Sequence, residues 1–297
     1  MENIQLWVLT QETYRALAPT YESIVDQFCE ETGLDDRATG LLLAALTLEP
    51  DAISPTRLQI RGPYTAASAY QAKLAFLMEK GFLSEEKPCE YHLTMHGQLE
   101  TIRLIKEVRA AIAAADPLPL VTSQRLATLL ERLVHASLDT ATPPSHWSIS
   151  LAYKLMPAAS PPLPYSEQAI SCLQGYWDDA HLAAWQPSGL SAMALEMLTL
   201  LWRGEADSLE AVFRRLRFRG HPVRGYLHAL EELRVRGYVE CEDDHPRLTE
   251  SGQDFRQQVE EKTDRLFFAL WGCLNPGEKG ELAHLLTGLR ENLASSV

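Results

Sequence analysis

Leu93-Thr94-Met95-His96-Gly97-Gln98 recurs further along the chain as Leu248-Thr249-Glu250-Ser251-Gly252-Gln253, so that L-T-x-x-G-Q appears twice, 155 residues apart. Around these strings an offset of 156 lays Gly33-Leu34 on Gly189-Leu190, Leu42 on Leu198, Tyr70 on Tyr226, Leu74 on Leu230, Leu77 on Leu233 and Gly81 on Gly237. The same offset carries Leu126, Leu129, Leu130 and Leu133 onto Leu282, Leu285, Leu286 and Leu289. A nearly constant displacement joined to a repeated string reads as two homologous halves in one polypeptide.

Each half follows one order of elements. A long helix (residues 11–32 or 167–185) passes through Gly-Leu into a second (36–48 or 191–203) whose leucines recur at helical spacing. The glycine supplies a left-handed stop, and Asp35 or Ser191 an N-cap. A shorter helix (55–60 or 209–218) ends at Arg61-Gly62-Pro63 or Arg219-Gly220-His221-Pro222, a tight turn into another helix (65–80 or 223–236). A short hairpin follows, then a long helix opening at L-T-x-x-G, and a last helix (123–138 or 277–293). Between the halves lie Ala141-Thr142-Pro143-Pro144 and Pro157-Ala158-Ala159-Ser160-Pro161-Pro162-Leu163-Pro164, too rich in proline for continuous helix or sheet. Residues 1–140 form the first half, 141–164 the linker and 165–297 the second half. Within the linker, Trp147, Ile149, Leu151, Tyr153 and Leu155 alternate, which predicts a strand or extended segment over 146–156.

Helix, turn, helix, then L-x-x-L-x-x-x-G-[FY]-[LV], then L-T-x-x-G opening a long helix resembles the winged helix-turn-helix regulators of the MarR family, in both halves. The resemblance extends over nearly the whole chain. It implies a mainly α fold with short β-wings, two modules related by a pseudo-two-fold axis, and a helical core like that joining two subunits of the family. One chain then stands for a fused dimer, with or without further pairing into a homodimer. Its implied function is regulated, sequence-specific binding of double-stranded DNA, by two unlike recognition helices on a bipartite site.

Charge is distributed accordingly. The chain has 27 basic and 40 acidic residues, a net −13, which disfavours a surface coated with phosphate-binding groups but allows a local basic face. Such a face lies at residues 213–236, where seven arginines oppose two glutamates. Recognition helices enter the groove by their N-terminal ends. Arg224, with His228 one turn on, is therefore placed for base reading, and Arg214, Arg215, Arg217 and Arg219 for the phosphate backbone. In the first half Arg57, Arg61 and Lys73 supply charge, while Thr65, Ser68 and Gln71 offer small donors and acceptors to base edges. The hairpin tips, Ser84-Glu85-Glu86-Lys87-Pro88-Cys89-Glu90 and Glu240-Cys241-Glu242-Asp243-Asp244-His245-Pro246-Arg247, are acidic and repel phosphate. Either the wings point away from DNA, or the fold serves as a protein-interaction or ligand-sensing scaffold without DNA affinity.

Nucleotide-loop, zincin and nucleophile-elbow motifs are missing, so neither an enzyme nor a cofactor is expected. Asp178 and His181 stand one helical turn apart without a third ligand in sequence reach, so no metal is expected. Trp147, Trp177, His181 and Trp185 mark an aromatic region that either packs the core or lines a cavity for a small lipophilic effector, which members of the resembled family bind near this junction. No apolar stretch reaches the roughly 20 residues of a membrane span, and five cysteines without C-x-x-C spacing suit a reduced cytoplasmic protein.

Overall fold

The computed structural model describes residues 2–141, 143–242 and 245–295. Thr142 of the linker and Asp243 and Asp244 of the second acidic tip lie outside these residues. The chain begins with α1 (Asn3–Leu17) and α2 (Glu22–Thr32) where one helix over 11–32 is expected. A 3-10 turn at Ala18–Thr20 separates them, because Pro19 cannot donate the backbone hydrogen bond that a continuing helix needs. Gly33 then stops α2 at φ +68°, and Asp35 caps α3 (Asp36–Leu48) by accepting the Ala38 N–H at 2.8 Å. The chain continues through α4 (Pro55–Arg61), α5 (Ala67–Glu79), the antiparallel hairpin β1 (Leu83–Lys87) and β2 (Glu90–Leu93), α6 (Met95–Ala114) and α7 (Leu120–Leu138).

The linker region departs from expectation. Residues 147–153 are helix, α8 (Trp147–Tyr153), and α9 (Pro162–Trp185) begins inside the proline cluster. Alternation misleads for α8 because Asp179 nucleates a helix there, its buried carboxylate accepting the N–H groups of Ser148 (3.0 Å) and Ile149 (3.1 Å). Gly175 makes room: a Cβ on it would lie 3.0 Å from the Ser148 backbone. Prolines at the start of α9 are harmless, since the first N–H groups of a helix have no intrahelical acceptor.

After Gly189, again at φ +68°, come α10 (Ala192–Trp202), α11 (Leu209–Leu216), α12 (Val223–Val235), the hairpin β3 (Val239–Glu242) and β4 (His245–Leu248), α13 (Glu250–Phe268) and α14 (Pro276–Ser295). The L-T-x-x-G strings have a physical cause, the same at both places. Thr94 caps α6 through its hydroxyl, which accepts the Gly97 N–H at 3.0 Å and donates to the Gly81 carbonyl at 2.7 Å. Thr249 does likewise with Gly252 (3.1 Å) and Gly237 (2.6 Å). Each glycine packs on the carbonyl before its hairpin, so that a Cβ would sit 2.1 Å from the oxygen of Phe82 or Tyr238.

Three apolar cores result. One lies under α3, α5 and the first hairpin, with Phe28, Leu42, Ile53, Leu74, Leu77 and Tyr91 fully buried. A second lies under α10, α11 and α12, with Leu198, Val212, Tyr226 and Leu233. The third joins both ends of the chain: Leu6 and Leu17 of α1, Leu129 and Leu133 of α7, Leu173 and Tyr176 of α9, Phe267 of α13, Trp271, and Leu286 and Leu289 of α14. Among the described residues no helix is long and apolar enough to cross a membrane.

Substituting Gly97→Ala or Gly252→Ala forces a methyl group onto a backbone oxygen and is expected to cost about 3 kcal/mol. Gly288→Ala, in α14 with no heavy atom within 4 Å of the added methyl, is expected to gain about 0.5–1 kcal/mol. Urea unfolding of the three variants checks both signs.

Candidate nucleic-acid interface

The second basic segment is built on one strongly amphipathic helix and the turn that follows. Helix α11 buries Ala211, Val212 and Leu216 and exposes Arg214 and Arg215. A 3-10 turn at Arg217–Arg219 ends at Gly220, whose φ of +76° opens the way into α12. That helix turns Tyr226, Ala229 and Leu233 inward and Val223, Arg224, Leu227 and His228 outward. Among the described residues the side chains of Arg214, Arg217, Arg224 and His228 make no ion pair or hydrogen bond with the protein. Arg215 approaches Glu205 at 3.5 Å and stays half exposed. Arg219 alone turns inward, paired with Glu196 at 2.5 Å and lying 5.5 Å from the centre of the Tyr64 ring.

The first basic segment is engaged with the protein at most of its positions. Arg57 pairs with Asp51 at 2.9 Å, Arg61 with Asp178 at 2.6 Å, and Lys73 with Asp35. Gln71 donates to the Tyr91 hydroxyl at 2.6 Å, and Thr65 accepts from Arg219 at 3.4 Å. Ser68 is left exposed on α5.

The turns that lead into α5 and α12 touch. Ala66 N–H donates to the Arg219 carbonyl at 2.9 Å, and the His221 ring meets the Tyr64 carbonyl at 2.9 Å. A Cβ on Gly220 would lie 2.6 Å from that of Ala69. Arg37 donates to the Phe218 carbonyl at 3.1 Å and stacks on its ring. Two half-sites one DNA turn apart require helix N-termini about 34 Å apart. In this closed arrangement α5 and α12 therefore do not reach successive grooves together, contrary to the expectation of simultaneous docking. The first wing presents Glu85 and Glu86 to solvent, so its acidic character persists in the folded protein.

A helix-turn-helix family matches residues 100–297, two thirds of the chain, a span that takes in α11, α12 and the whole second basic segment. The chain belongs to this helix-turn-helix family. No curated protein and no solved structure matches it. Helix-turn-helix proteins are of the type built for DNA binding and gene regulation, and the exposed arginines of this one lie within the matched span.

Two of the cavities of this helix-turn-helix protein lie behind its closed turns, and the aromatic residues read from sequence do not share one. Trp147 lines the larger, about 810 Å³ between α2, α3, α6, α8 and α9. Trp177 and His181, stacked at 5.2 Å, line a second of about 260 Å³ between α9, α10 and α13. Trp185 is core, packed 5.9 Å from Tyr64. Burial and the nearby Arg256 push His181 down to about 4, so the ring is neutral, and Asp178 turns to Arg61 instead. Among the described residues no group of three metal-ligating side chains comes together.

Glu167, Ser171, Gln174 and Asp178 all line the larger cavity. Their spacing of four, three and four residues, a polar stripe on an apolar helix, was the signal available in the sequence. Burial pushes the Glu167 carboxyl up to about 7, despite Tyr14 and Arg109 nearby. Its folded value lies above the ordinary 4.5, so the folded state holds that proton more tightly than the unfolded chain. The resulting stabilisation is complete below pH 4.5 and is lost as pH rises through 7. From pH 4 to pH 8 the protein is expected to lose about 3 kcal/mol of unfolding free energy relative to its Glu167→Gln variant. Urea titrations of both proteins across that range measure the difference, and a constant difference contradicts the assignment.

Proposed function

We propose that this chain is a transcriptional regulator that binds double-stranded DNA with two winged helix-turn-helix modules, residues 1–140 and 165–297, duplicated from a MarR-like ancestor. The observation that carries the reading is the exposed set Arg214, Arg217, Arg224 and His228, unpaired by the protein, on a helix pair inside the matched family span. Unpaired arginines at the start of a recognition helix suit phosphate and guanine contacts. The repeated capping and glycine packing at Thr94-Gly97 and Thr249-Gly252 support the duplication.

The closed arrangement is then the form off DNA. Parting the turns frees Thr65 from Arg219 to join Ser68 and Arg224 on a bipartite site of unlike half-sites, and release of the Asp178 and Glu196 pairs would add Arg61 and Arg219. The larger cavity is the seat of effector control, because Arg61, Tyr64 and Arg219 belong both to its wall and to the touching turns. Its leucine, valine and tryptophan surface with a few buried polar groups suits a small lipophilic molecule bearing a polar end. The acidic wing and the touching turns favour the second reading, a ligand-sensing or protein-interaction scaffold without DNA affinity.

Selection of random duplexes on the purified chain, at low and physiological salt, separates the two. A recovered bipartite motif is expected. Arg224→Ala should weaken binding to it by about 1–3 kcal/mol and relax one position, whereas Arg217→Ala should weaken all sequences alike and lower the salt slope by about one. Gly220→Asn, which keeps the left-handed backbone and wedges the turns apart at Ala69, should tighten binding. No enrichment at either salt overturns the regulator reading.

A further inference from the structure

We propose that the smaller cavity, between α9, α10 and α13, is a binding site for a zwitterion of the α-amino acid class with an apolar side chain. The inference goes beyond DNA binding and beyond the larger cavity, and it rests on two charged groups that the protein leaves half-satisfied.

Arg256 is 2% exposed, yet only part of its guanidinium is used. Its Nε donates to the Thr199 hydroxyl at 2.8 Å, one terminal nitrogen pairs with Glu260, and the plane lies 5.1 Å from the centre of the Trp202 ring. The remaining nitrogen, Nη1, is buried without a protein partner. Glu196 is in the converse position. One carboxylate oxygen accepts both bonds from Arg219, at 2.9 and 2.5 Å, while Oε2 is buried and unpartnered. Both side chains line the same cavity of about 260 Å³.

Their placement sets the ligand. Thr199, which holds Arg256, is one helical turn from Glu196 on α10, so the two half-used groups meet the cavity beside one helix face. Among the described residues they form no ion pair with each other, Arg256 pairing with Glu260 and Glu196 with Arg219. A molecule that carries an ammonium and a carboxylate on one carbon answers both unused atoms, its carboxylate on Arg256 and its ammonium on Glu196. Leu182, Leu195, Leu200 and the Trp177 ring offer room for an apolar side chain, beside a charged part of the wall made by Arg61, Asp178, Arg203 and Glu260, of which Arg61 and Asp178 pair with each other. Neutral His181, whose Nδ1 lies 3.3 Å from the Thr263 hydroxyl, adds no competing charge. The cavity far exceeds the ~30 Å³ share of one water.

Calorimetric titration and thermal melting of the full chain with L-leucine, L-methionine and L-phenylalanine test this without DNA, so the result is independent of the regulator reading. At least one should bind saturably and raise the melting temperature. Its decarboxylated amine and its deaminated acid should each bind at least about a hundredfold more weakly, because each leaves one buried polar atom, Arg256 Nη1 or Glu196 Oε2, without a partner. Glu196→Gln should weaken binding at least about tenfold. Leu200→Trp, which fills the cavity, should abolish binding while the circular dichroism of the protein stays unchanged. The proposal fails if none of the three amino acids binds up to millimolar concentration, which leaves only water between the two groups. It also fails if the amine or the acid binds as well as the amino acid, or if binding survives in both variants.

Discussion

Helix α9 must be covered on nearly every side, and that requirement organises the rest of the protein. Sixteen of its 24 residues are buried, far more than the single stripe of a surface helix. Leu163, Ile170, Leu173 and Tyr176 take up α1, α7 and the end of α13. Asp179 and Gly175 on another face seat α8, and Trp185 at the far end enters the core beneath α10 and α12. Because α9 packs against helices from both ends of the chain, the largest core belongs to no single stretch of sequence. The ion pairs Arg125–Glu281 and Arg132–Glu278, both partly exposed, add alignment between α7 and α14 more than energy.

The same helix carries the polar groups that link the cores to the exposed turns. Asp178 reaches Arg61 in the first half, and Glu196, from α10 beside it, holds Arg219 in the second. These two pairs, with Tyr64 between them, form the partition between the larger cavity and the smaller one. Whatever occupies either cavity therefore meets the residues that keep α5 and α12 together. Both acids are pushed above their ordinary range by burial even with an arginine alongside, a sign that the arginines only partly offset the loss of water.

Local chemistry was legible in the sequence, and long-range chemistry was not. Gly33, Gly189, Asp35, Ser191, Thr94 and Thr249 announce helix ends because each acts within a few residues of itself. The mainly helical fold and both hairpins follow from such signals. Helix α8 is hidden in the sequence because its apolar residues alternate over a stretch too short to distinguish the two periods, while the acid that sets it, Asp179, lies some thirty residues away. The prolines at 161–164 looked like a break, yet at the first turn of a helix they cost nothing. The clustering of Arg214, Arg217 and Arg224 is plain in the sequence; the inward turn of Arg219 depends on Glu196 and Tyr64 of other elements and is not. Nor did the sequence place Trp147, Trp177 and Trp185 in three different environments, since aromatic residues suit cores and cavities alike.

One further consequence concerns the order in which the chain is made. Helices α1 and α14 lie side by side, Lys279 bonded to Asn3 and Arg290 to Glu12, while Trp7 packs on Phe267 and Trp271. Helix α1 is thus completed only by α14, more than 250 residues later in the chain. At ordinary rates of synthesis its apolar face waits on the order of tens of seconds for that partner. During this interval the nascent protein carries an uncovered apolar seam.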